Sequence, residues 1–278
     1  MIFRKKYIQF FYLVVLLAAC AADKNNSTNI NGYEYAHMKE VELEHPLKEI
    51  SGIAYHAATN TFVAINDEKG NIYVLDANTY RITNKYSFGE EADYEEIQVA
   101  GNDLFVLRSD GTVYKMKFDG KNISSIKTFE YAGAKAEYES FYMDTISNTL
   151  VLIPKQSKNG TKEKKTISYT ISAVNGIYVE SKEHILNWSD LKSSVSMMIH
   201  PSAVAVHPVT KDIYLLVSIE KRLIVLNANW KFLTEYELDR TYFRQPEGIT
   251  FDTKGNLYIS NEAAEGAPTI IQIPILSN

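Results

Sequence analysis

Five stretches of this 278-residue chain repeat one short pattern, and that repetition limits the fold more than any other feature. They are Ile50-Ser51-Gly52-Ile53, Tyr94-Glu95-Glu96-Ile97, Tyr138-Glu139-Ser140-Phe141, Pro201-Ser202-Ala203-Val204 and Pro246-Glu247-Gly248-Ile249. Between their second residues the spacings are 44, 44, 63 and 45. Around each, runs rich in Val, Ile, Tyr and Phe alternate with Asn, Asp, Gly and Lys turns, and nothing beyond residue 30 shows sustained helical periodicity. About four strands fit each repeat of ~45 residues, which is how a β-propeller is written in sequence. The expected fold is all-β: a five-bladed propeller of four-stranded antiparallel blades. The long interval holds a Lys/Gly/Asn-rich insertion, Lys155 to Lys165, and an irregular stretch, Asn187 to Met198. A sixth blade built from 155–200 is the alternative, although that stretch lacks the inner-strand pattern.

The last repeat is one strand short. Its strands fall near 247–252, 256–261 and 269–275, and then the chain ends. Tyr35 to Leu43, before the first repeat, is strand-like and has no blade of its own; its Glu40-Val41-Glu42-Leu43 resembles Glu235-Tyr236-Glu237-Leu238 of repeat four. The N-terminal strand is therefore expected to complete the last blade. Such closure removes exposed sheet edges.

In a propeller the first strand of each blade lines the central channel, so equivalent positions meet around the axis. One column reads Ser51, Glu95, Glu139, Ser202 and Glu247; the next reads Gly52, Glu96, Ser140, Ala203 and Gly248 and is mostly small. Glu95, Glu139 and Glu247 at one mouth cannot all stay ionised without compensation. Either a cation binds, or protons are held at raised pKa, or the glutamates point into a solvated channel and hold nothing. Oxygen ligands alone suit a hard cation, calcium before magnesium. The ends of the second strands face the same mouth. They bring Asn66, Asp67, Arg108, Lys155 and Glu262, with Arg108 and Lys155 placed to hold an anionic ligand bridging to a metal, or Arg108 to pair with the ring glutamates. His200, before Pro201, is a candidate base or a plain turn residue. Trp188 and Trp230 read as packing residues. G-x-S-x-G, H-E-x-x-H and P-loop patterns are absent.

Residues 1–19 read as an export signal: Arg4-Lys5-Lys6, then an apolar run to Ala19 that is too short to span a bilayer. Leu17-Ala18-Ala19-Cys20 resembles the lipobox of bacterial lipoproteins, with Cys20 as the lipidated residue; a plain secretory signal with a chance cysteine is the other reading. Residues 20–32 read as a flexible tether and 33–278 as the propeller. Ala21 points to the outer membrane, by resemblance to a Gram-negative sorting rule. Cys20 is the only cysteine, which excludes an intramolecular disulfide framework and a cysteine-built zinc site. The formal charge of −5, without a long basic run, argues against nucleic acid as a partner.

Five segments in order, Glu49-Ile50-Ser51-Gly52-Ile53, Leu107-Arg108-Ser109-Asp110-Gly111-Thr112, His200-Pro201-Ser202-Ala203-Val204, Gln245-Pro246-Glu247-Gly248-Ile249 and Leu257-Tyr258-Ile259-Ser260-Asn261-Glu262, resemble the SdiA-regulated family of envelope β-propellers. The resemblance runs from about residue 33 to 276. It implies a propeller fold, a link to calcium homeostasis, and kinship with phytase-like and esterase-like propellers. The expectation is a monomeric envelope lipoprotein that binds calcium at the channel mouth and acts as a binding or scaffold protein toward a small anionic ligand or an envelope protein. The alternative is a calcium-dependent hydrolase of phosphate esters or lactones, with Arg108 and Lys155 holding the substrate and Glu247 or His200 activating water.

Overall fold

The computed structural model describes residues 29–144, 147–156, 158–191, 198–263 and 266–276. The signal segment, Cys20 and most of the tether lie outside the described residues. Among the described residues no helix is long and apolar enough to cross a membrane.

After a separate first strand, β1 (Lys39–Glu42), the chain lays down β2 (Ile50–His56), β3 (Thr61–Asn66), β4 (Lys69–Asp76) and β5 (Ile82–Glu91) as one antiparallel sheet. Next come β6 (Tyr94–Ala100), β7 (Asp103–Arg108), β8 (Val113–Phe118) and β9 (Ile123–Tyr131), then β10 (Glu137–Asp144), β11 (Thr149–Gln156), β12 (Lys165–Val174) and β13 (Ile177–Asn187). Each of these runs is antiparallel within itself, and a short parallel contact of β13 with β9 merges them into one eight-stranded sheet. A further antiparallel sheet holds β14 (Ala203–Val206), β15 (Ile213–Val217), β16 (Arg222–Leu226) and β17 (Phe232–Glu237). Finally β18 (Pro246–Phe251), β19 (Leu257–Asn261) and β20 (Thr269–Ile273) accept β1 as their fourth strand, Val41 opposite Ile270. Closure by the N-terminal strand, expected from the missing strand of the last repeat, is what the pairing shows.

The first strands touch in a closed cycle: β2 to β6, β10, β14, β18 and back to β2. Neighbouring units bury their faces against each other. Val63, Ile65, Ile72 and Val74 meet Ile97, Leu104, Val106 and Met116, while Leu216 and Leu223 meet Ile249 and Ile259. Strands covered on both faces read as unbroken apolar runs, such as Phe62-Val63-Ala64-Ile65. By contrast β5 and β9 are largely exposed outer strands. The insertion forms a short helix, α1 (Lys158–Glu163), and β12 and β13 then supply outer strands of the third repeat rather than a separate unit with its own inner strand. Two expected packing residues are buried with their indole N–H groups satisfied: Trp188 donates to Thr166 Oγ1 and Trp230 to the Tyr142 hydroxyl, both at 3.0 Å. The packed domain also begins earlier than residue 33, because Ile30 is buried in the core.

Candidate functional site

A β-bulge shapes the mouth. Pairing of β2 with β3 skips from Ile50 to Gly52, that of β6 with β7 from Tyr94 to Glu96, that of β10 with β11 from Tyr138 to Ser140, and that of β18 with β19 from Pro246 to Gly248. The unpaired residues are Ser51, Glu95, Glu139 and Glu247, four of the five members of the first column. A bulge re-aims the side chain it releases, and here all four line one cavity of about 260 Å³.

Other mouth residues come from two flanking positions. Immediately before each lead residue stand Glu49, Asp93, Glu137 and His200, and all four line the cavity. From the ends of the second strands come Asp67, Lys155 and Glu262. Backbone hydrogen bonds hold these pieces together: Asp67 N–H donates to Glu49 O, and Tyr94 N–H to Asp67 O. Among the described residues, eight carboxylates therefore face one lysine and one histidine: Glu49, Asp67, Asp93, Glu95, Glu137, Glu139, Glu247 and Glu262 against Lys155 and His200.

Two residues expected at the mouth are turned away. Arg108 pairs in register with Tyr94, and Asn66 with Ile50, one residue short of the positions that reach the cavity. Side chains alternate along a strand, so Arg108 forms a bidentate pair with Asp110 at 2.6 and 3.0 Å and also donates to Thr112 Oγ1 and the Tyr114 hydroxyl. That pair holds Asp110 down to about 2. Asn66 spends its side chain on Pro46 O and Lys69 N. Neither is placed to hold a ligand at the mouth.

Burial and like charge push the mouth acids upward. Desolvation, then the charges of Glu139 and Asp93, raise Glu95 to about 9. Glu139 rises to about 7, again through burial, with Lys155 pulling it back. Asp67 rises to about 6 through burial and the nearby Glu49. Burial also raises Glu247, although Ser218 Oγ donates to it at 3.0 Å. Glu262 is lifted to about 8 by burial and by the neighbouring Glu49, whose own carboxyl Glu262 and Lys48 hold low. His200 is held between Glu220 Oε1, 3.1 Å from Nδ1, and the Gln156 side-chain amide, 2.6 Å from Nε2.

One acid was legible only as an oddity. Glu96 stands in the column of small residues and is fully buried; its two carboxyl oxygens accept from the N–H groups of Ile97 at 2.9 Å and Val204 at 3.4 Å. Val204 belongs to a different sheet, so this side chain reaches across the channel. Gly52 is what makes room, since a β-carbon there would lie 2.8 Å from Ile97 N and 3.0 Å from Glu96 Cα.

Antiparallel sheets whose inner strands close on themselves, with an acidic mouth at one end of that ring, define a propeller-like protein. Residues 25–265 match the family described as SdiA-regulated, and the chain belongs to that family. No curated protein matches the chain. Among solved structures it is similar to a glutaminyl cyclase of Myxococcus xanthus (TM-score 0.59, 11% identity, covering 86% of this chain and 96% of that one). It is also similar to a PQQ-bound aldose sugar dehydrogenase of Streptomyces coelicolor (0.51, 11%, 86% and 99%) and to the WD40 repeats of RRP9 (0.51, 8%, 89% and 100%). At such identities the likeness carries the fold alone. WD40 repeats are β-propellers.

Proposed function

We propose that this member of the SdiA-regulated family is a five-bladed propeller that binds calcium at its acidic mouth and serves in the cell envelope as a binding or scaffold protein. Five blades follow from taking each half of the eight-stranded sheet as one blade, and the closed cycle of five inner strands supports that reading. The observation that carries the calcium reading is the mouth itself: eight carboxylates around one cavity, four of the channel-lining positions released by bulges.

The donors fit a hard, oxygen-seeking ion. Ser51 Oγ and Asp67 Oδ1 are buried without a hydrogen-bond partner among the described residues, so the mouth holds oxygens that those residues leave unserved. Among the described residues no group of three acids or histidines stands ready to hold a metal as it is. Binding would therefore draw the carboxylates in, with Glu95, Glu139 and Glu247 as the residues that hold the ion, and would compete with protons at Glu95 and Glu139. Titration of the full chain with calcium is expected to show saturable heat. Glu247→Gln should weaken binding roughly ten-fold or more, because ligand charge sets affinity at such sites. Absence of heat at millimolar calcium would remove the reading.

The hydrolase reading draws less support. Arg108 is committed to Asp110, Lys155 lies on Glu139, and both ring nitrogens of His200 already have partners. Among the described residues no cation lining the mouth is left to hold an anionic substrate.

An envelope location rests on the lipobox-like Leu17-Ala18-Ala19-Cys20. Cys20→Ser is expected to move the protein from the membrane fraction to the soluble one; equal fractionation of both proteins would reject the anchor.

A further inference from the structure

We propose that Lys155 is a tethered cation standing in the place that calcium takes, so that the chain's own ammonium competes with the metal and retreats to the rim when the metal binds. This inference rests on the calcium reading above. Lys155 lies near the end of β11, just past Pro154, whose pairing with Tyr138 fixes the exit point of the side chain. Its ammonium contacts two glutamates in different settings. Glu139 lies inside the mouth with 13% of its side chain exposed; Glu137, 3.4 Å away, is at the rim with 56% exposed. One bond holds the cation in, and the other marks a way out that is already made.

Charge and hydrogen bonding both exceed what this ammonium can satisfy. Among the described residues it is the only Lys or Arg lining the cavity, against eight carboxylates. Its charge favours the ionised forms of Glu139, Glu95 and Glu247, so it acts on all three expected metal ligands from one position. Yet Ser51 Oγ, on the cavity wall and with only 8% of the residue exposed, has no partner. A lysine on its stem offers three donors and one charge. A divalent ion at the same place supplies twice the charge and accepts more oxygens. The lysine thus keeps the empty mouth from excess repulsion, at a cost to metal affinity.

A lysine that only braces the fold would give a different result when removed. Calorimetric titration with calcium chloride near pH 7.5 compares the full chain with Lys155→Met and Lys155→Arg. Lys155→Met should bind calcium ~10-fold or more tightly, because a neighbouring positive charge is removed in a partly buried site. Lys155→Arg keeps the charge and should stay close to the parent. Melting curves add a second readout: Lys155→Met should melt below the parent in EDTA and above it in calcium. Calcium binding by Lys155→Met alone would also support the inference. Binding by Lys155→Met that is equal to or weaker than the parent's overturns it and leaves the calcium reading intact. If neither protein binds calcium, the calcium reading fails and this inference falls with it.

Discussion

Between about pH 7 and pH 9 in EDTA, the melting temperature falls, and saturating calcium removes the fall. Three mouth acids govern this window: Glu139 near 7, Glu262 near 8 and Glu95 near 9. In the unfolded chain each titrates near 4.5 and holds no proton here. The folded state therefore binds more protons than the unfolded one, and stability declines as pH rises through the folded values, levelling off above about 9. Each fully shifted acid contributes ~1.4 kcal/mol per pH unit. After a discount for their partial exposure, ~2–3 kcal/mol over the window is a reasonable size, or roughly 5–10 °C for a domain of this length.

Below about pH 6.5 the buried His56 and His207 and the half-buried His184, each held low by desolvation, push stability the other way, so the test belongs above neutrality. The other groups facing Glu95 across the mouth are Glu49, Asp67, Asp93, Glu137, Glu247, Lys155 and His200. Burial raises Glu247 too, with Ser218, Lys221 and Lys155 pulling it back. Glu95→Gln should flatten the upper half of the curve without lowering stability at pH 7. Calcium stabilises by mass action, more strongly at higher pH because fewer protons must leave. A melting temperature that stays level or rises from pH 7 to 9 in EDTA would show that the mouth does not carry these protons.

Glu95, Glu139 and Glu247 were legible from sequence because a propeller turns a repeat column into a ring, and counting between equivalent residues needs no coordinates. Glu49, Asp93 and Glu137 were equally within reach: they stand one position ahead of each lead residue, in a column that reads Glu, Asp, Glu, His, Gln. Arg108 and Asn66 turn away from the mouth for a sharper reason. In a strand, a shift of one residue flips the side chain to the other face, and the bulge that sets this register leaves no mark in the sequence. Glu96 shows the remaining limit. A column of small residues implies space at the axis, but only the folded chain shows that one long side chain fills it.

Deleting the residues up to Glu42 should cost far more than the exposed side chains of β1 suggest. Lys39, Glu40 and Glu42 face solvent and Val41 is half-buried, so the strand contributes little by burying its own surface. What it supplies is a ladder along β20, from Lys39–Gln272 to Glu42–Thr269, over an edge whose Ile270, Ile271 and Ile273 are fully buried. The segment before it adds two anchors. Ile30 sits in the core, and Tyr33 bridges Ile275 and donates its hydroxyl to Gly255 O at 3.2 Å. Each apolar anchor is worth ~1.5–3 kcal/mol, so the truncated chain should be less stable by about 4 kcal/mol and melt roughly 8–16 °C lower. The bared β20 edge should also pair with other copies, giving concentration-dependent aggregation. By comparison Glu40→Ala breaks only an exposed ion pair with Arg244, 2.6 Å long, and should shift stability by less than ~1 kcal/mol. A truncated protein that stays monomeric and melts within about two degrees of the parent would mean that the ring is held by its inner strands alone, and that β1 merely lies along an edge the fold can leave open.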